Sequence, residues 1–299
     1  MTKTLLAVDG MAYIFRAFYA VPYMCSHSGI PTNAVYGFHK LLQSLVNEIE
    51  PDHLVVAFDV AEPTFRDEVF SDYKANRPEA PEELISQIDL VKEYLRAMRI
   101  PILECPGFEA DDVLATVAVK AKEAGVKALI ATGDKDLCQL VDDDIFIVRS
   151  SMREVEILDR GGVMRHYGVW PEQIVDYLTI VGDSADNVPG VKGIGQKGAR
   201  DLLEAYGTLD NIYASLDKLS ASNQRKLEEA KDHIESTRFL IKIRCDAPVK
   251  IELKDTMRCE CDCGLVNEFC QKYDFQSLRA PETKKVETTA EPQQQELFL

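Results

Sequence analysis

Short apolar runs alternate with longer amphipathic segments through the first half of the chain. The runs TLLAVD, HLVVAFD and KALIATGD are apolar almost throughout, which is typical of strands that are buried on both faces of a parallel sheet. The segments between them carry apolar residues at helical spacing. This alternation predicts an α/β fold with a mostly parallel central sheet and helices on both faces.

The same pattern gives the position of each element. It predicts strands at 5–9, 54–59, 100–103, 128–131, 145–149 and 155–158, and helices at 33–48, 81–99 and 109–124. From about residue 160 it becomes mainly helical, at 171–181, 198–206, 222–243 and 263–273. From 281 onward Glu, Thr, Lys, Gln and Pro predominate, which predicts disorder. We therefore divide the chain into an α/β core (1–160), a helical region (161–280) and a tail (281–299).

Composition limits the class of protein. The chain has 299 residues and 46% apolar content, enough for one large or two ordinary domains. Its formal net charge of −16 argues against a nucleic-acid partner, unless bound cations cancel part of the charge and basic residues cluster locally. Eight cysteines occur without a secretion signal or a membrane-spanning run, which predicts a soluble cytoplasmic protein with reduced thiols.

Acidic side chains recur where apolar runs end. Because the carboxyl ends of parallel strands share one edge of a sheet, where ligands bind, we expect these side chains to converge. Carboxylates that lie close together repel each other unless a cation binds between them. Hard divalent ions prefer oxygen ligands. The sequence therefore predicts a magnesium or manganese site. The candidate ligands are Asp9, Asp59, Glu109, Asp111, Asp112, Asp134, Asp136, Asp183 and Asp186.

Some of these acids could have a purely structural role instead of binding a metal ion. Glu109, Asp111 and Asp112 open a predicted helix, where the helix dipole alone favours acidic residues. Glu109 and Asp112 are expected to share one helix face. Asp134 could instead form an Asx turn. Since several strand ends carry the same chemistry, we favour the metal site over these alternatives.

Two further segments suggest nucleic-acid contacts. Gly193-Ile194-Gly195 predicts a tight hairpin between two helices, whose backbone can approach a phosphate closely, although an ordinary helix cap and turn has the same pattern. Lys192, Lys197 and Arg200 supply positive charge beside it.

The second segment combines aromatic and basic residues between 65 and 78. A base could stack on Tyr73 while Lys74 and Arg77 contact phosphate, and Arg66 adds charge nearby. A solvated basic turn is the alternative interpretation.

Taken together, these motifs resemble the 5′ nucleases of the flap endonuclease family, and most of all the N-terminal 5′–3′ exonuclease domain of bacterial DNA polymerase I. The resemblance spans about residues 5–278. The matching segments are LLAVDG, VAFD, FRDEVFSDYKANRP, GFEADDVLAT, TGDKDLCQLV, GDSADNVPGVKGIGQKGA and RFLIKIRCDAPV.

The resemblance implies a PIN-like core followed by a helix-hairpin-helix element that grips duplex DNA, often with a potassium ion. It implies two Mg²⁺ ions, which Mn²⁺ can replace. The tighter ion would be held by Asp9, Asp59, Glu109, Asp111 and Asp112, and the other by Asp134, Asp136, Asp183 and Asp186. Lys74 and Arg77 would lie in an arch, within 64–90, and would act with Asp9, Asp111 and Asp134 in catalysis. The implied activity is 5′–3′ exonuclease and 5′-flap endonuclease cleavage of flaps, nicks and RNA primers in replication and repair, by a monomer associated with the nucleoid.

Two other functions remain open. Val8-Asp9-Gly10 and Gly133-Asp134 are similar to the motifs of haloacid dehalogenase phosphatases, but Met11 stands where the second aspartate of the first motif belongs. A catalytically silent protein that binds branched DNA would retain the hairpin and the arch. The acidic set argues against the silent protein, because close like charges are destabilising without ions.

Two features near the end of the chain carry separate hypotheses. Gln294, Leu297 and Phe298 resemble short peptides that bind the bacterial sliding clamp, although a tail without function is an equal alternative. The Cys259, Cys261 and Cys263 cluster lacks the spacing of a structural zinc site, so ordinary buried thiols are expected.

Overall fold

The computed structural model describes residues 2–151 and 154–279. Its strands form one six-stranded sheet in the order β3-β2-β1-β4-β5-β6, parallel except for the β5–β6 pair. The strands are β1 (Thr4–Asp9), β2 (His53–Ala57), β3 (Ile102–Leu103), β4 (Lys127–Ala131), β5 (Ile145–Ser150) and β6 (Val155–Leu158). The predicted α/β class and mostly parallel sheet are confirmed.

Helices cover both faces of this sheet. In the α/β core they are α1 (Gly10–Ala20), α2 (Asn33–Ile49), α3 (Phe65–Val69), α4 (Glu82–Ala97) and α5 (Ala110–Glu123). After β6 they are α6 (Arg160–Tyr167), α7 (Ile174–Val181), α8 (Gln196–Tyr206), α9 (Leu209–Ala214), α10 (Ala221–Ala230), α11 (Ile234–Ile241) and α12 (Cys263–Lys272). Short 3-10 helices lie at Asp136–Leu140, Pro171–Gln173, Leu216–Lys218, Leu253–Thr256 and Gln276–Leu278.

The pleat of β1 divides the hydrophobic core into two layers. Leu5 and Ala7 face α5 and most of the helical region, whereas Leu6 and Val8 face α1, α2, α4 and α12. All four side chains are fully buried, as expected for a strand with helices on both sides. The layer around α5 continues into α7, α8 and α11, so the helical region is anchored to the sheet. The domain boundaries at 160 and 280 stay predictions.

Several helical predictions differ from the structure, since α1, α3, α6 and α9 were not predicted and one predicted helix is divided. The sequence analysis did not predict α1, which begins at Gly10 and is capped by Asp9, because the helix follows β1 directly with no loop between them. The helix predicted at 222–243 is two helices, α10 and α11, interrupted after Ala230. At the interruption His233 Nε2 lies 3.3 Å from the Gly190 carbonyl, and Thr237 Oγ1 donates to the Pro189 carbonyl at 2.8 Å, so α11 turns to pack on another loop.

Across residues 2–151 and 154–279, no helix combines the length and apolar character that crossing a bilayer requires. The predicted tail and its candidate residues Gln294, Leu297 and Phe298 lie outside the described residues.

Candidate active site

The strand order places one crevice beside β1. From β1 the chain continues to β2 and β3 on one side of β1, and then crosses to β4 on its other side. The strand order therefore reverses between β1 and β4, which is the topological switch point of the sheet. Asp9 ends β1, and Asp134 follows β4 in the adjacent loop. A cavity of about 770 Å³ opens at this edge, and its lining includes Asp9, Asp59, Asp111 and Asp134, with Lys74 and Arg77.

Asp9 is held in place by the start of α1. Its Oδ1 accepts a hydrogen bond from the Ala12 N–H at 2.9 Å, and its Oδ2 accepts one from Thr132 Oγ1 at 3.1 Å. Burial, together with the charges of Asp59 and Asp134, raises the pKa of Asp9 to about 6, although these hydrogen bonds act in the opposite direction. A carboxylate in this position is stabilised by any cation that enters the cavity.

Asp111 and Asp134 experience the same environment. Loss of hydration raises the pKa of Asp111 well above its ordinary value, and the charges of Asp134 and Asp9 add to that effect. Loss of hydration also raises the pKa of Asp134, whose Oδ1 accepts from the Asp136 N–H at 2.8 Å. Asp59 is exposed and accepts from the Ala110 N–H at 2.8 Å, at the start of α5. The structure therefore brings these four predicted acids to one cavity.

Four of the five remaining predicted acids are paired with cations, and Asp136 is the exception. Lys74 Nζ donates to Glu109 Oε1 at 2.6 Å, and Lys135 Nζ donates to Asp183 Oδ2 at 2.6 Å. These two ion pairs occupy oxygens that the sequence analysis assigned to metal ions.

Asp186 and Asp136 complete the second group of acids. Arg77 Nε donates to Asp186 Oδ1 at 3.1 Å, and its Nη2 contacts the same oxygen. Asp136 Oδ1 is buried with no hydrogen-bond partner among the described residues. Loss of hydration raises the pKa of Asp136 well above its ordinary value, and the charge of Asp134 acts in the same direction.

Arg66 and Asp112 have a different role from the one predicted. Arg66 is 1% exposed and forms two hydrogen bonds to Asp112, Nη1 to Oδ2 at 2.7 Å and Nη2 to Oδ1 at 3.0 Å. Asp112 is fully buried and also accepts from the N–H groups of Glu109 and Arg244. This arrangement does not support the predicted DNA contact of Arg66, whose guanidinium group is buried and hydrogen-bonded. It does not support the predicted metal contact of Asp112 either, because both of its oxygens accept hydrogen bonds.

Tyr73 is also buried, at 8% exposure. Its hydroxyl group donates to Glu109 Oε2 at 3.3 Å and to Asp186 Oδ2 at 3.4 Å. Loss of hydration raises its pKa, as do the charges of these two carboxylates. This buried position does not support the base stacking predicted for Tyr73. The residue instead supports the turn that carries Lys74, whose φ of 57° lies in the left-handed region.

The donor set fits a hard divalent cation. The cavity offers carboxylate oxygens, several of which are destabilised by mutual repulsion, and Asp136 Oδ1 lacks a partner. Within residues 2–151 and 154–279, however, no group of three or more His, Cys, Asp or Glu side chains is arranged to hold one ion. Lysine and arginine side chains compensate part of the carboxylate charge in this arrangement.

The glycine segment lies at the start of α8, with Gly195 as its N-cap residue. Gly193 has φ 84°, which favours glycine, and its carbonyl accepts from Lys226 Nζ at 2.9 Å. Lys192 and Lys197 are exposed beside it.

The connection differs from a short hairpin between neighbouring helices, because α7 ends at Val181 and residues 182–195 form a longer loop. Within that loop Asp183 and Val188 form an antiparallel bridge. Arg200 packs near the Tyr177 ring, and its Nε is buried without a hydrogen-bond partner among the described residues.

The cysteine prediction holds only in part. Cys259 is exposed, whereas Cys261 and Cys263 are half-buried, so the expectation of ordinary buried thiols is wrong for Cys259. All three are free thiols.

Several residues at the site were not predicted, and Lys135 is one of them. Lys135 stands between Asp134 and Asp136 in the sequence, and it contacts Asp183 across the site. The sequence did contain a signal for Lys135, because it is a cation flanked by two candidate metal ligands.

Two family models cover most of the chain. The model described as the 5′-3′ exonuclease N-terminal resolvase-like domain matches residues 4–168, and the 5′-3′ exonuclease C-terminal SAM fold matches residues 169–263. A 5′-3′ exonuclease of Aquifex aeolicus is 39% identical over 277 residues, which covers 92% of this chain and 94% of that protein. DNA polymerase I of Bacillus subtilis is 38% identical over 254 residues, which covers 84% of this chain but 29% of the polymerase.

Two solved structures with a similar fold are a phage T5 protein and the catalytic core of Rad2 in complex with DNA. The phage T5 D15 protein co-crystallised with metal ions has a TM-score of 0.68 at 21% identity, covering 80% of this chain and 89% of that one. The catalytic core of Rad2 in complex with a DNA substrate has a TM-score of 0.59 at 18% identity, covering 91% and 88%. At these identities the structural likeness shows the fold alone.

Proposed function

This chain belongs to the 5′-3′ exonuclease family, and from that premise we propose that it is a structure-specific 5′ nuclease. It would hydrolyse DNA phosphodiesters as a 5′–3′ exonuclease and a 5′-flap endonuclease. The observation that supports this most directly is the convergence of Asp9, Asp59, Asp111 and Asp134 on one cavity beside Lys74 and Arg77. Carboxylates and cations at one opening suit metal-assisted phosphodiester hydrolysis.

Two divalent ions are part of the proposal. Asp9, Asp59, Glu109 and Asp111 would hold one, and Asp134, Asp136, Asp183 and Asp186 would hold or organise the other. Mg²⁺ is the expected ion, with Mn²⁺ as a substitute. When bound, such ions supply Lewis acidity, which makes water more acidic and neutralises phosphate charge. A phage T5 5′-exonuclease of similar fold has been solved with bound divalent zinc ions, which supports a divalent cofactor here.

The cationic side chains would act on the phosphate. Lys74 and Arg77 lie at the cavity and already bind carboxylates there, so both are in reach of an anion that enters it. Their positive charge would stabilise the charge that develops on the scissile phosphate.

Duplex DNA would bind at a surface separate from the proposed cleavage site. Backbone N–H groups of Gly193 and Gly195, with the exposed Lys192 and Lys197, would contact the phosphate backbone at the start of α8. Arg200 would contribute charge close to these groups, and a potassium ion could bind in the same loop. The Rad2 core is described in complex with a DNA substrate, which supports DNA as the partner of this fold.

The wider roles are proposals of the same kind. Removal of 5′ flaps, nicked ends and RNA primers in replication and repair would suit a monomer that works in the cytoplasm at the nucleoid. The chain spans about a third of the DNA polymerase I proteins that it matches, so it corresponds to one portion of those larger proteins. Residues 294–298 would add contact with the sliding clamp, a hypothesis about residues outside those described.

A cleavage assay on a labelled 5′-flap substrate tests the nuclease function. Magnesium-dependent products at the flap junction are expected from the wild type, and loss of those products is expected from Asp111→Asn with flap binding retained. Tight flap binding without cleavage by the wild type would favour the silent DNA-binding alternative. Hydrolysis of a small phosphate ester without flap cleavage would favour the phosphatase alternative. Single-stranded and blunt duplex DNA serve as substrate controls.

A further inference from the structure

The guanidinium group of Arg66 connects separate parts of the fold. It binds Asp112 through two hydrogen bonds, and its Nη1 lies 3.5 Å from Glu109 Oε2. It also donates to two backbone carbonyls, Nε to Leu240 O at 2.8 Å and Nη2 to Lys242 O at 3.2 Å. The rigid fork of an arginine suits such a set of fixed acceptors. Each contact lies in the interior, and Arg66 does not line the cavity that holds the four acids.

Asp112 completes the connection from the opposite side. Its Oδ2 accepts from the Glu109 N–H at 3.2 Å, and its Oδ1 accepts from the Arg244 N–H at 2.8 Å. The pair therefore joins α3, the start of α5 and the chain that follows α11 at one buried point. Removing either partner would leave a buried charge and several backbone groups unpaired.

Each of the joined segments leads to a different part of the proposed site. The chain after α3 turns into the segment with Lys74 and Arg77, and α5 begins beside Asp111. On the third side, α11 contacts the loop between α7 and α8, where Thr237 Oγ1 donates to the Pro189 carbonyl at 2.8 Å. That loop runs from the acids Asp183 and Asp186 to the glycine segment.

We propose that Arg66 and Asp112 form a buried latch that fixes the distance between the duplex-binding loop and the cleaving carboxylates. The latch would determine which phosphodiester reaches the cavity, so both residues are positioning residues that set the site of incision. This inference rests on the proposed nuclease function. A pair that served stability alone would have no influence on where the cut falls.

Arg66→Lys and Asp112→Asn test the latch with little change in side-chain volume. Lysine retains the charge but lacks the planar fork, and asparagine retains the shape but not the charge. Single-turnover cleavage of a 5′-flap substrate, mapped to the nucleotide, should show incision spreading to neighbouring phosphodiesters. The rate at the main position should fall roughly tenfold or more, because small misplacements are costly in catalysis. Flap affinity should stay close to that of the wild type.

Thr256→Val is the matched control for lost stability. Thr256 is buried, donates to the Leu253 carbonyl at 2.7 Å and lies 2.9 Å from His53 Nδ1, near the amino end of β2 and away from the latch. All variants are assayed at a temperature where circular dichroism shows each to be folded. The control should cleave at the wild-type position.

The possible results separate the latch from the nuclease proposal. A wild type without cleavage would refute the nuclease function itself. Wild-type cleavage at one position, with the same position retained in Arg66→Lys and Asp112→Asn, would refute the latch. An equal spread of products in Thr256→Val would also refute it, because general destabilisation would then explain the effect.

Discussion

Neutralising Asp9 should stabilise the protein in the absence of divalent ions, although the same change removes a proposed ligand. Burial and nearby acids raise the pKa of Asp9 from 3.8 to about 6, so its carboxyl group binds a proton more tightly in the folded state than in the unfolded state. Above pH 6 the folded protein carries an unfavourable charge, whereas below pH 3.8 the group is neutral in both states. The penalty therefore grows as the pH rises between these values.

The size of the effect follows from the same two values. A change from 3.8 to about 6 corresponds to about 3 kcal/mol of lost stability at pH 8, taken as an upper limit. Asn can retain the local hydrogen bonds, since its Oδ1 can accept from the Ala12 N–H and its Nδ2 can donate to Thr132 Oγ1. Asparagine and aspartate are also comparable as helix N-caps. The free energy of unfolding of Asp9→Asn should therefore exceed that of the wild type by about 2–3 kcal/mol at pH 8.

Urea unfolding with EDTA, followed by circular dichroism at pH 8, 6 and 5, measures this difference. The gain from Asp9→Asn should be largest at pH 8 and fall to roughly half at pH 5, as the linkage relation requires. Asp217→Asn, at an exposed position, controls for the reduction of the large negative net charge. Added magnesium should stabilise the wild type more than Asp9→Asn, because the variant lacks one ligand. A less stable Asp9→Asn at pH 8, or a gain that does not change with pH, would refute the reasoning.

Other substitutions test the cations and the duplex contact. Lys135→Met should destabilise the protein in EDTA, because Asp183 loses its partner, and should tighten magnesium binding measured by calorimetry; unchanged affinity would contradict a cation that competes for the site. Lys74→Ala should lower the single-turnover cleavage rate more than flap affinity, and the reverse would place Lys74 in binding alone. Lys197→Ala should weaken flap binding and reduce the slope of log affinity against log salt by about one, whereas an unchanged slope would exclude a phosphate contact.

The acids at the strand ends could be predicted because two local signals sufficed. The buried runs before Asp9, Asp59 and Asp134 identified parallel strands, and parallel strands end at a common edge. The prediction needed neither the register of the sheet nor its strand order. The structure adds that β1 lies between β2 and β4, which brings residues distant in sequence to one cavity.

Buried charged residues could not be predicted in the same way. Arg66 was assigned to a DNA contact because it lies in a segment that combines aromatic and basic residues. Its burial depends on the Leu240 and Lys242 carbonyls, which belong to a distant segment of the chain. Tyr73 was misjudged for the same reason, since its acceptors Glu109 and Asp186 come from separate loops. Local pattern contains no information about such long-range partners.

The cations of the site would contact two kinds of anion in succession, first the carboxylates and then phosphate. In this structure Lys74, Lys135 and Arg77 each bind a carboxylate, and these contacts offset part of the repulsion within the acidic group. Under the two-ion proposal, divalent ions would take over that compensation and reduce the hold of the acids on the three cations. Lys74 and Arg77 would then be available to phosphate at the cavity where they already lie. An acidic protein can thus bind an anionic polymer, because ion binding and release of positive charge occur at the same place.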